Sequence, residues 1–349
     1  MSTSPTTIST TSSSSTTTTG IPGWTTTGNM AVARQYHTAS ILGNGKVLVT
    51  GGSNGSNSLN SAELYDPTTG IWTTTGYMNV ARQYHTASIL GNGMLLVTGG
   101  NNDNIYLYSA ELYDATTGIW TTTGNMNFAR IFHTASLLDN GNVLVTGGFS
   151  RTYLSSAELY NSTTGNWTTT ENMNFARQYY TASILGNGIV LVTGGYYKSA
   201  LNSAELYNST TGIWTIAEKM NFARQYHTAS ILGSGKVLVT GGSDGSYLSS
   251  AELYDPTTGS WTSTGNMNVA RQYHTASILG NGTVLITGGY NTSPLNSVEL
   301  YDPITGSWTS TGNMNVAREY HTASILANGK VLVTGGYNGN SSLNSAELY

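Results

Sequence analysis

A repeat of 47 or 48 residues runs through this chain seven times and constrains its fold more than any other feature. Glycine pairs and AELY segments (VELY in one copy) recur once per repeat. The seven tryptophans mark the same period, at Trp24, Trp72, Trp120, Trp167, Trp214, Trp261 and Trp308. Since three independent markers give one count, the chain consists of seven copies of a single structural unit.

Each unit is predicted to form four short antiparallel strands. In the first copy, residues 34–42, 46–50 and 59–65 are predicted as strands a, b and c, and the glycine-containing segment GNG forms the turn between a and b. Asp66, Pro67 and Gly70 predict a β-turn before strand d at residues 71–75. No segment carries an apolar period of 3.6 residues long enough for a helix.

Composition excludes several classes of protein. Charged residues make up 9% of the chain and Gly 42 of its 349 residues, which argues against helix-rich and coiled-coil folds. A net charge of -4 predicts no nucleic-acid partner. We expect no membrane span and no signal peptide, because the sequence has neither a long apolar run nor a charged N-terminal region. The absence of cysteine excludes disulfides, thiolate metal sites and thiol nucleophiles.

A four-stranded sheet whose second strand reads VLVT cannot expose either face to water, so it needs a neighbour on both sides. Radial stacking around an axis supplies both, which predicts an all-β, seven-bladed β-propeller of four-stranded antiparallel blades. Small Ala39 and Ser40 suit a strand at the axis, and Trp72 suits the rim. The strand ending in GG, the following Tyr and the Trp after a turn resemble the kelch repeat, across residues 21–349 in all seven copies.

The ends of the repeat array predict how the ring closes. The first repeat marker belongs to strand d at Trp24 and the last to strand c at Tyr349, so the last blade is predicted to be closed by the N-terminal strand, an arrangement that resembles known kelch propellers. The alternative is a fragment of a longer array. Residues 1–20 are predicted to be a disordered Ser/Thr-rich tail, either a passive linker or an O-glycosylated stalk. We expect a monomer, cytoplasmic or, within a longer secreted protein, extracellular.

Variation between the copies is concentrated in the loops between strands b and c. Alternate connections emerge on alternate faces of a blade, so these loops share one face with the linkers that enter strand a. The loops are rich in Tyr, Ser, Gly and Asn, the composition of adaptable recognition surfaces. The predicted binding residues in them are Tyr106, Tyr108, Arg151, Tyr153, Tyr196, Tyr197, Lys198, Tyr247, Tyr290 and Tyr337. Alternatively, the aromatic residues directly after GG, namely Phe149, Tyr196, Tyr290 and Tyr337, only cover the neighbouring blade.

One arginine per repeat opens strand a on the same face. These arginines are also candidate binding residues: Arg34, Arg82, Arg130, Arg177, Arg224, Arg271 and Arg318. Arginine at this position resembles residues that bind acidic peptides in some kelch proteins, which implies an anionic ligand. Strand c, however, carries one glutamate per repeat, and an extended arginine can reach it across two inter-strand steps of ~4.8 Å. We favour this structural pairing.

The remaining polar residues predict no catalysis. Six histidines, one per blade except the fourth, are spread around a ring and are expected to be buried and hydrogen-bonded, with no metal and no cofactor. The unique polar groups form no combination of nucleophile, base and orienting group. The kelch enzyme galactose oxidase uses a copper site with a cysteine-crosslinked tyrosine, and the absence of cysteine excludes that chemistry here. We therefore predict a non-catalytic kelch-repeat protein-interaction scaffold that binds a protein or peptide through the Tyr-rich face. The alternative is a carbohydrate-binding propeller or carbohydrate-active enzyme, since tyrosines also stack on sugars.

Overall fold

The computed structural model describes residues 23–349 and contains seven four-stranded antiparallel sheets arranged around a central axis. Each sheet is one blade, with strands in the order a, b, c, d from the axis to the rim. The predicted seven-bladed all-β propeller is confirmed. The predicted tail at residues 1–20 lies outside the described residues.

Strands a and b form the inner half of each blade. The a strands are Thr38–Ile41, Thr86–Ile89, Thr134–Leu137, Thr181–Ile184, Thr228–Ile231, Thr275–Ile278 and Thr322–Ile325. The b strands are Val47–Thr50, Leu95–Thr98, Val143–Thr146, Ile189–Thr193, Val237–Thr240, Val284–Thr287 and Val331–Thr334.

Strands c and d form the outer half. The c strands are Ala62–Asp66, Ala110–Asp114, Ala157–Tyr160, Ala204–Asn208, Ala251–Asp255, Val298–Asp302 and Ala346–Leu348. The d strands of blades 1 to 6 are Ile71–Thr74, Ile119–Thr122, Trp167–Thr170, Ile213–Ala217, Ser260–Ser263 and Ser307–Ser310, and that of blade 7 is Thr25–Thr26. The only helix among residues 23–349 is a single 3-10 turn, Gly186–Gly188, so no helix there is long enough to cross a membrane.

Blade 7 joins the two ends of the described chain. Strand Thr25–Thr26 pairs antiparallel with Ala346–Leu348, with Thr25 opposite Leu348. The buried Trp24 packs against Tyr349 with a ring-centroid distance of 5.2 Å, and its Nε1 donates to the Gly312 carbonyl at 2.8 Å. The predicted closure by the N-terminal strand is thus present.

The hydrophobic core lies between blades rather than inside them. Because VLVT is apolar on both faces, every residue of strand Val47–Thr50 is buried, and it packs against a different blade on each side. The glycine pair after strand b permits this close approach. A Cβ on Gly52, whose φ is +89°, would lie 2.5 Å from the Gln35 carbonyl oxygen and 2.8 Å from the His37 Cβ. This explains why each copy of the repeat needs GG.

The structure corrects two details of the predicted unit. Strand a begins at Thr38 rather than at Arg34, because Tyr36 has a left-handed φ of +57° that turns the chain before the strand starts. Strand c begins at Ala62 rather than at residue 59. In four blades the loop between b and c is itself a small two-stranded hairpin, which the sequence did not predict.

Candidate binding face around the propeller axis

The seven arginines that open strand a are buried ion pairs, not surface cations. Each is 0% exposed and contacts the glutamate of its own blade at 2.6–2.8 Å. In blade 5, Arg224 also donates to the Gly241 carbonyl at 2.7 Å and to Ser250, while Glu252 accepts the backbone N–H of Asn221 at 2.7 Å. The favoured pairing is confirmed.

This burial removes all seven arginines from the candidate binding residues. Their guanidinium groups donate to carbonyls and carboxylates of their own blade, so no ligand reaches them without breaking that network. The corrected positions are Arg34, Arg82, Arg130, Arg177, Arg224, Arg271 and Arg318.

The six histidines are also structural groups between blades. His85 Nε2 lies 3.0 Å from Thr38 Oγ1 of the preceding blade. Burial is the main cause that lowers the pKa of His85, and that of His227, to about 3, and the nearby arginines lower both further. These rings are therefore neutral at physiological pH. Tyr180 takes the histidine position in blade 4, where its hydroxyl lies 2.8 Å from Thr146 Oγ1.

The main feature of this face, which the sequence did not predict, is a closed ring of seven aromatic side chains around the axis. One residue per blade, directly before the histidine position, contributes to it. We call this set the axial aromatic ring: Tyr36, Tyr84, Phe132, Tyr179, Tyr226, Tyr273 and Tyr320. Neighbouring ring centroids are 4.2–4.5 Å apart at interplanar angles of 45–59°, close to one seventh of a turn.

Backbone geometry fixes the axial aromatic ring. All seven residues have a left-handed φ of 54–57°, a conformation that is uncommon for bulky side chains and concentrates at functional sites. Backbone N–H groups bridge blades, as from Tyr226 to the Tyr179 carbonyl at 3.1 Å. Burial is the main cause that raises the pKa of Tyr273 to about 12, so its hydroxyl is uncharged. The ring encloses a cavity of about 200 Å³ lined only by these seven side chains.

The Tyr-rich loops form a second aromatic surface beside this ring. Loop residues from blades 2, 3 and 4 contact one another with centroid distances of 5.2–6.0 Å. We call them the aromatic loop patch: Tyr106, Phe149, Tyr153, Tyr196 and Tyr197. The exposed Arg151 and Lys198 lie at the tips of the hairpins of blades 3 and 4, and Lys198 Nζ is 5.4 Å from the centre of the Tyr197 ring.

The other predicted loop tyrosines lie outside this patch. Tyr247 and Tyr290 form a separate pair with centroids 5.8 Å apart on blades 5 and 6. Tyr108 is exposed at the approach to strand c of blade 2, and Tyr337 lines a cavity between blades 7 and 1. The loop aromatics thus bridge neighbouring blades and also present area to solvent.

Short antiparallel bridges join the loops to the axial aromatic ring. The residue before each ring member pairs with the first residue after GG, as Gln178 does with Tyr196 and Ile131 with Phe149. Because Gln178 immediately precedes Tyr179, the ring and the aromatic loop patch form one surface. The sequence carries a signal for the axial aromatic ring, because every copy has an aromatic residue at this position. The same regularity makes these residues look like part of the repeat rather than part of a site.

Comparison with protein families identifies the repeat. The Kelch motif model matches residues 36–79, 84–127, 132–174, 179–221, 224–268, 273–315 and 320–349. The chain belongs to the kelch-repeat family. No curated protein matches it. Among solved structures, this kelch chain is similar to a novel fungal alcohol oxidase of the AA5 family in complex with copper, with 19% identity, 94% of this chain and 76% of that chain covered, and a TM-score of 0.78. This likeness shows the fold.

The residues of the kelch propeller do not fit a copper centre of that kind. Within residues 23–349, no group of three or more His, Asp or Glu side chains is placed to hold a metal ion. Four of the histidines line the axial cavity below the axial aromatic ring, together with threonines, alanines and Tyr180. Each histidine Nε2 is directed at a threonine between two blades. We derive no reaction step from the similarity.

Proposed function

We propose that this chain is a non-catalytic kelch-repeat scaffold that recognises a protein or peptide with the face formed by the axial aromatic ring and the aromatic loop patch. The observation that carries the proposal is the continuity of these two surfaces. The face carries twelve aromatic side chains, seven at the axis and five on the loops, and short backbone bridges at Phe149 and Tyr196 connect the loops to the segments that precede the ring members.

The chemistry of this face suits a polypeptide partner. Tyrosine offers rigid amphipathic area with little side-chain entropy to lose, and aromatic residues dominate the binding energy of protein interfaces. Arg151 and Lys198 add positive charge at the edge of the aromatic loop patch. The hairpins hold these side chains in register, so the face needs little ordering when a partner binds.

A carbohydrate ligand is the second candidate, because the same exposed tyrosine faces can stack on sugar rings. Sugars would be expected at the axial cavity of about 200 Å³ or between the loop tyrosines.

Peptide and glycan arrays separate the two candidates. We expect concentration-dependent binding to peptides that weakens at least about tenfold when Tyr196 and Tyr197 are both changed to Ala. Tyr77→Ala is the matched control, since Tyr77 is an exposed tyrosine in the linker between blades 1 and 2. Saturable glycan binding that the double variant abolishes, without peptide binding, would replace the protein-partner proposal with the carbohydrate one.

A further inference from the structure

One position in the ring of blades breaks the sevenfold pattern with a charge. The residue before each member of the axial aromatic ring is glutamine in five blades and isoleucine in one. In blade 7 it is Glu319. Its backbone makes the same bridge as its counterparts, donating to the Tyr337 carbonyl at 3.0 Å and accepting from the Tyr337 N–H at 2.8 Å. The backbone is unchanged, so the difference lies in the side chain.

Glu319 is 5% exposed and lines a cavity of about 620 Å³ between blades 7 and 1. The walls of this cavity are aromatic and polar. Tyr36 and Tyr320, two adjacent members of the axial aromatic ring with centroids 4.4 Å apart, border it on the axial side. Tyr337 and Asn340 of the blade 7 loop and Asn54 of the blade 1 loop complete it.

No cation within the described part of the chain neutralises the Glu319 carboxylate. Among residues 23–349, no Lys, Arg or His nitrogen lies within the 4.0 Å that defines an ion pair from Glu319. The neighbouring Arg318 is committed to Glu347 at 2.8 Å, as each strand-opening arginine is to the glutamate of its own blade. Glu319 is therefore the one buried carboxylate among residues 23–349 that has no paired cation.

A nearly buried carboxylate beside aromatic rings is a complementary environment for a protonated amine. The carboxylate supplies charge-assisted hydrogen bonds, and the apolar parts of the tyrosine rings cover the alkyl chain that carries the amine. We propose that the cavity between blades 7 and 1 binds an alkylammonium group, the side chain of a lysine on the partner, with Glu319 as its counter-ion and Tyr36 and Tyr320 as its walls. This inference rests on the proposed function, because it assigns one contact of the same face.

Burial raises the pKa of Glu319 to about 7, although the Tyr320 hydroxyl opposes this. The other titratable groups that face it are Tyr36, Tyr290 and Tyr337. Binding of an amine should therefore strengthen as pH rises from 6 to 8, when Glu319 ionises and the amine stays protonated.

The test uses n-butylammonium chloride as the probe and n-butanol as its uncharged analogue, with binding to the full chain followed by ligand-observed NMR. Glu319→Gln restores the residue of five other blades and should keep the fold, which thermal melting checks. We expect n-butylammonium to bind in preference to n-butanol and Glu319→Gln to weaken it at least about tenfold. The double variant Glu319→Gln/Asn44→Asp is the control for overall charge. It returns the net charge to -4 by placing an exposed carboxylate in an a–b turn on the opposite face. It should bind n-butylammonium as weakly as the single variant does.

Three outcomes would overturn the proposal: no preference for the cation in the parent protein, unchanged cation binding in Glu319→Gln, or recovered cation binding in the double variant. The last outcome would mean that the overall charge of the protein attracts the probe. None of them affects the scaffold proposal, which depends on the loss of peptide binding in the Tyr196 and Tyr197 variant. If the Tyr196 and Tyr197 variant loses peptide binding and any of the three amine results is also found, the scaffold proposal stands. Only the lysine contact is then withdrawn.

Discussion

At the scale of single residues, the buried arginine–glutamate pair is the most consequential element of each blade. Arg224→Ala would leave Glu252 buried without its cation, and breaking a buried pair in this way typically costs 3–5 kcal/mol. We expect Arg224→Ala to lower the free energy of unfolding by about 3 kcal/mol or more, measured by chemical denaturation. A melting temperature that stays level or rises would return the arginine ring to the candidate binding residues.

The same blade offers a control for this prediction. Lys236 and Asp255 form an exposed ion pair at 3.2 Å. Surface pairs contribute about 0–1 kcal/mol, since solvent screens them. Lys236→Ala removes the same charge from the same blade, and should therefore change stability far less than Arg224→Ala.

The buried histidines predict a specific sensitivity to acid. With a folded-state pKa of about 3, His227 binds a proton in the unfolded chain between pH 6.5 and 3 but not in the folded one, so its contribution to stability is present above pH 6.5 and is lost as pH falls. Tyr180 shows that tyrosine fits the equivalent site. On going from pH 7 to pH 4, we expect the His227→Tyr variant to lose up to about 3 kcal/mol less free energy of unfolding than the parent protein.

Denaturation at pH 4, 5 and 7 measures this difference, and the reverse change Tyr180→His should make the acid dependence steeper. Glu319, whose pKa is raised to about 7, contributes the opposite slope, because stability falls as it ionises between its ordinary pKa and about 7. It is present in all three proteins and cancels. Equal acid dependence in the three would show that the histidines are not the cause.

At the scale of elements, strands were predictable where local pattern decides the structure. Strand Val47–Thr50 is an apolar run between turns, and the structure keeps it within one residue of the prediction. The segment before strand a was not predictable, because Tyr36 adopts its left-handed φ only when blades meet at the axis and stack its side chain on Tyr84 and Tyr320. The arginine–glutamate ion pairs were predictable, because each repeat contains one residue of each kind. Their complete burial was not, because it depends on how neighbouring blades pack.

The loop hairpins depend on single residues at their turns. Thr292 forms the turn between Tyr290–Asn291 and Ser293–Pro294 with a φ of +59°, which is strained for a β-branched residue. We expect Thr292→Gly to stabilise the protein by about 0.5–1 kcal/mol, because relief of this strain exceeds the entropy that glycine adds to the unfolded chain. Chemical denaturation measures the change. A loss of stability would mean that the threonine hydroxyl, which donates to the Asn291 carbonyl at 2.5 Å, matters more than the strain.

At the scale of the whole molecule, positive and negative side chains lie on opposite sides of the proposed binding face. Arg151 and Lys198 lie on the loops of blades 3 and 4, whereas Glu319 lies on blade 7. These charges are separated by the axial aromatic ring, because the loops and the residues before strand a surround it. A partner that presents an acidic group and a lysine on opposite sides of an apolar centre would match all three parts, and charge complementarity of this kind fixes orientation more than affinity.

Closure of the ring is the property on which every blade depends, since each hydrophobic core cluster is shared by two neighbouring blades. Deleting residues 1–29 would remove Trp24 and the strand Thr25–Thr26, and would leave the edge of Ala346–Leu348 unpaired. We expect a loss of at least about 3 kcal/mol, as for removal of a buried tryptophan, and self-association through the open edge. Thermal melting and analytical ultracentrifugation measure these two effects. Deleting only residues 1–20 keeps Trp24 and should change neither. A truncation of residues 1–29 that melts cooperatively at an unchanged temperature would show that the ring holds together without the N-terminal strand.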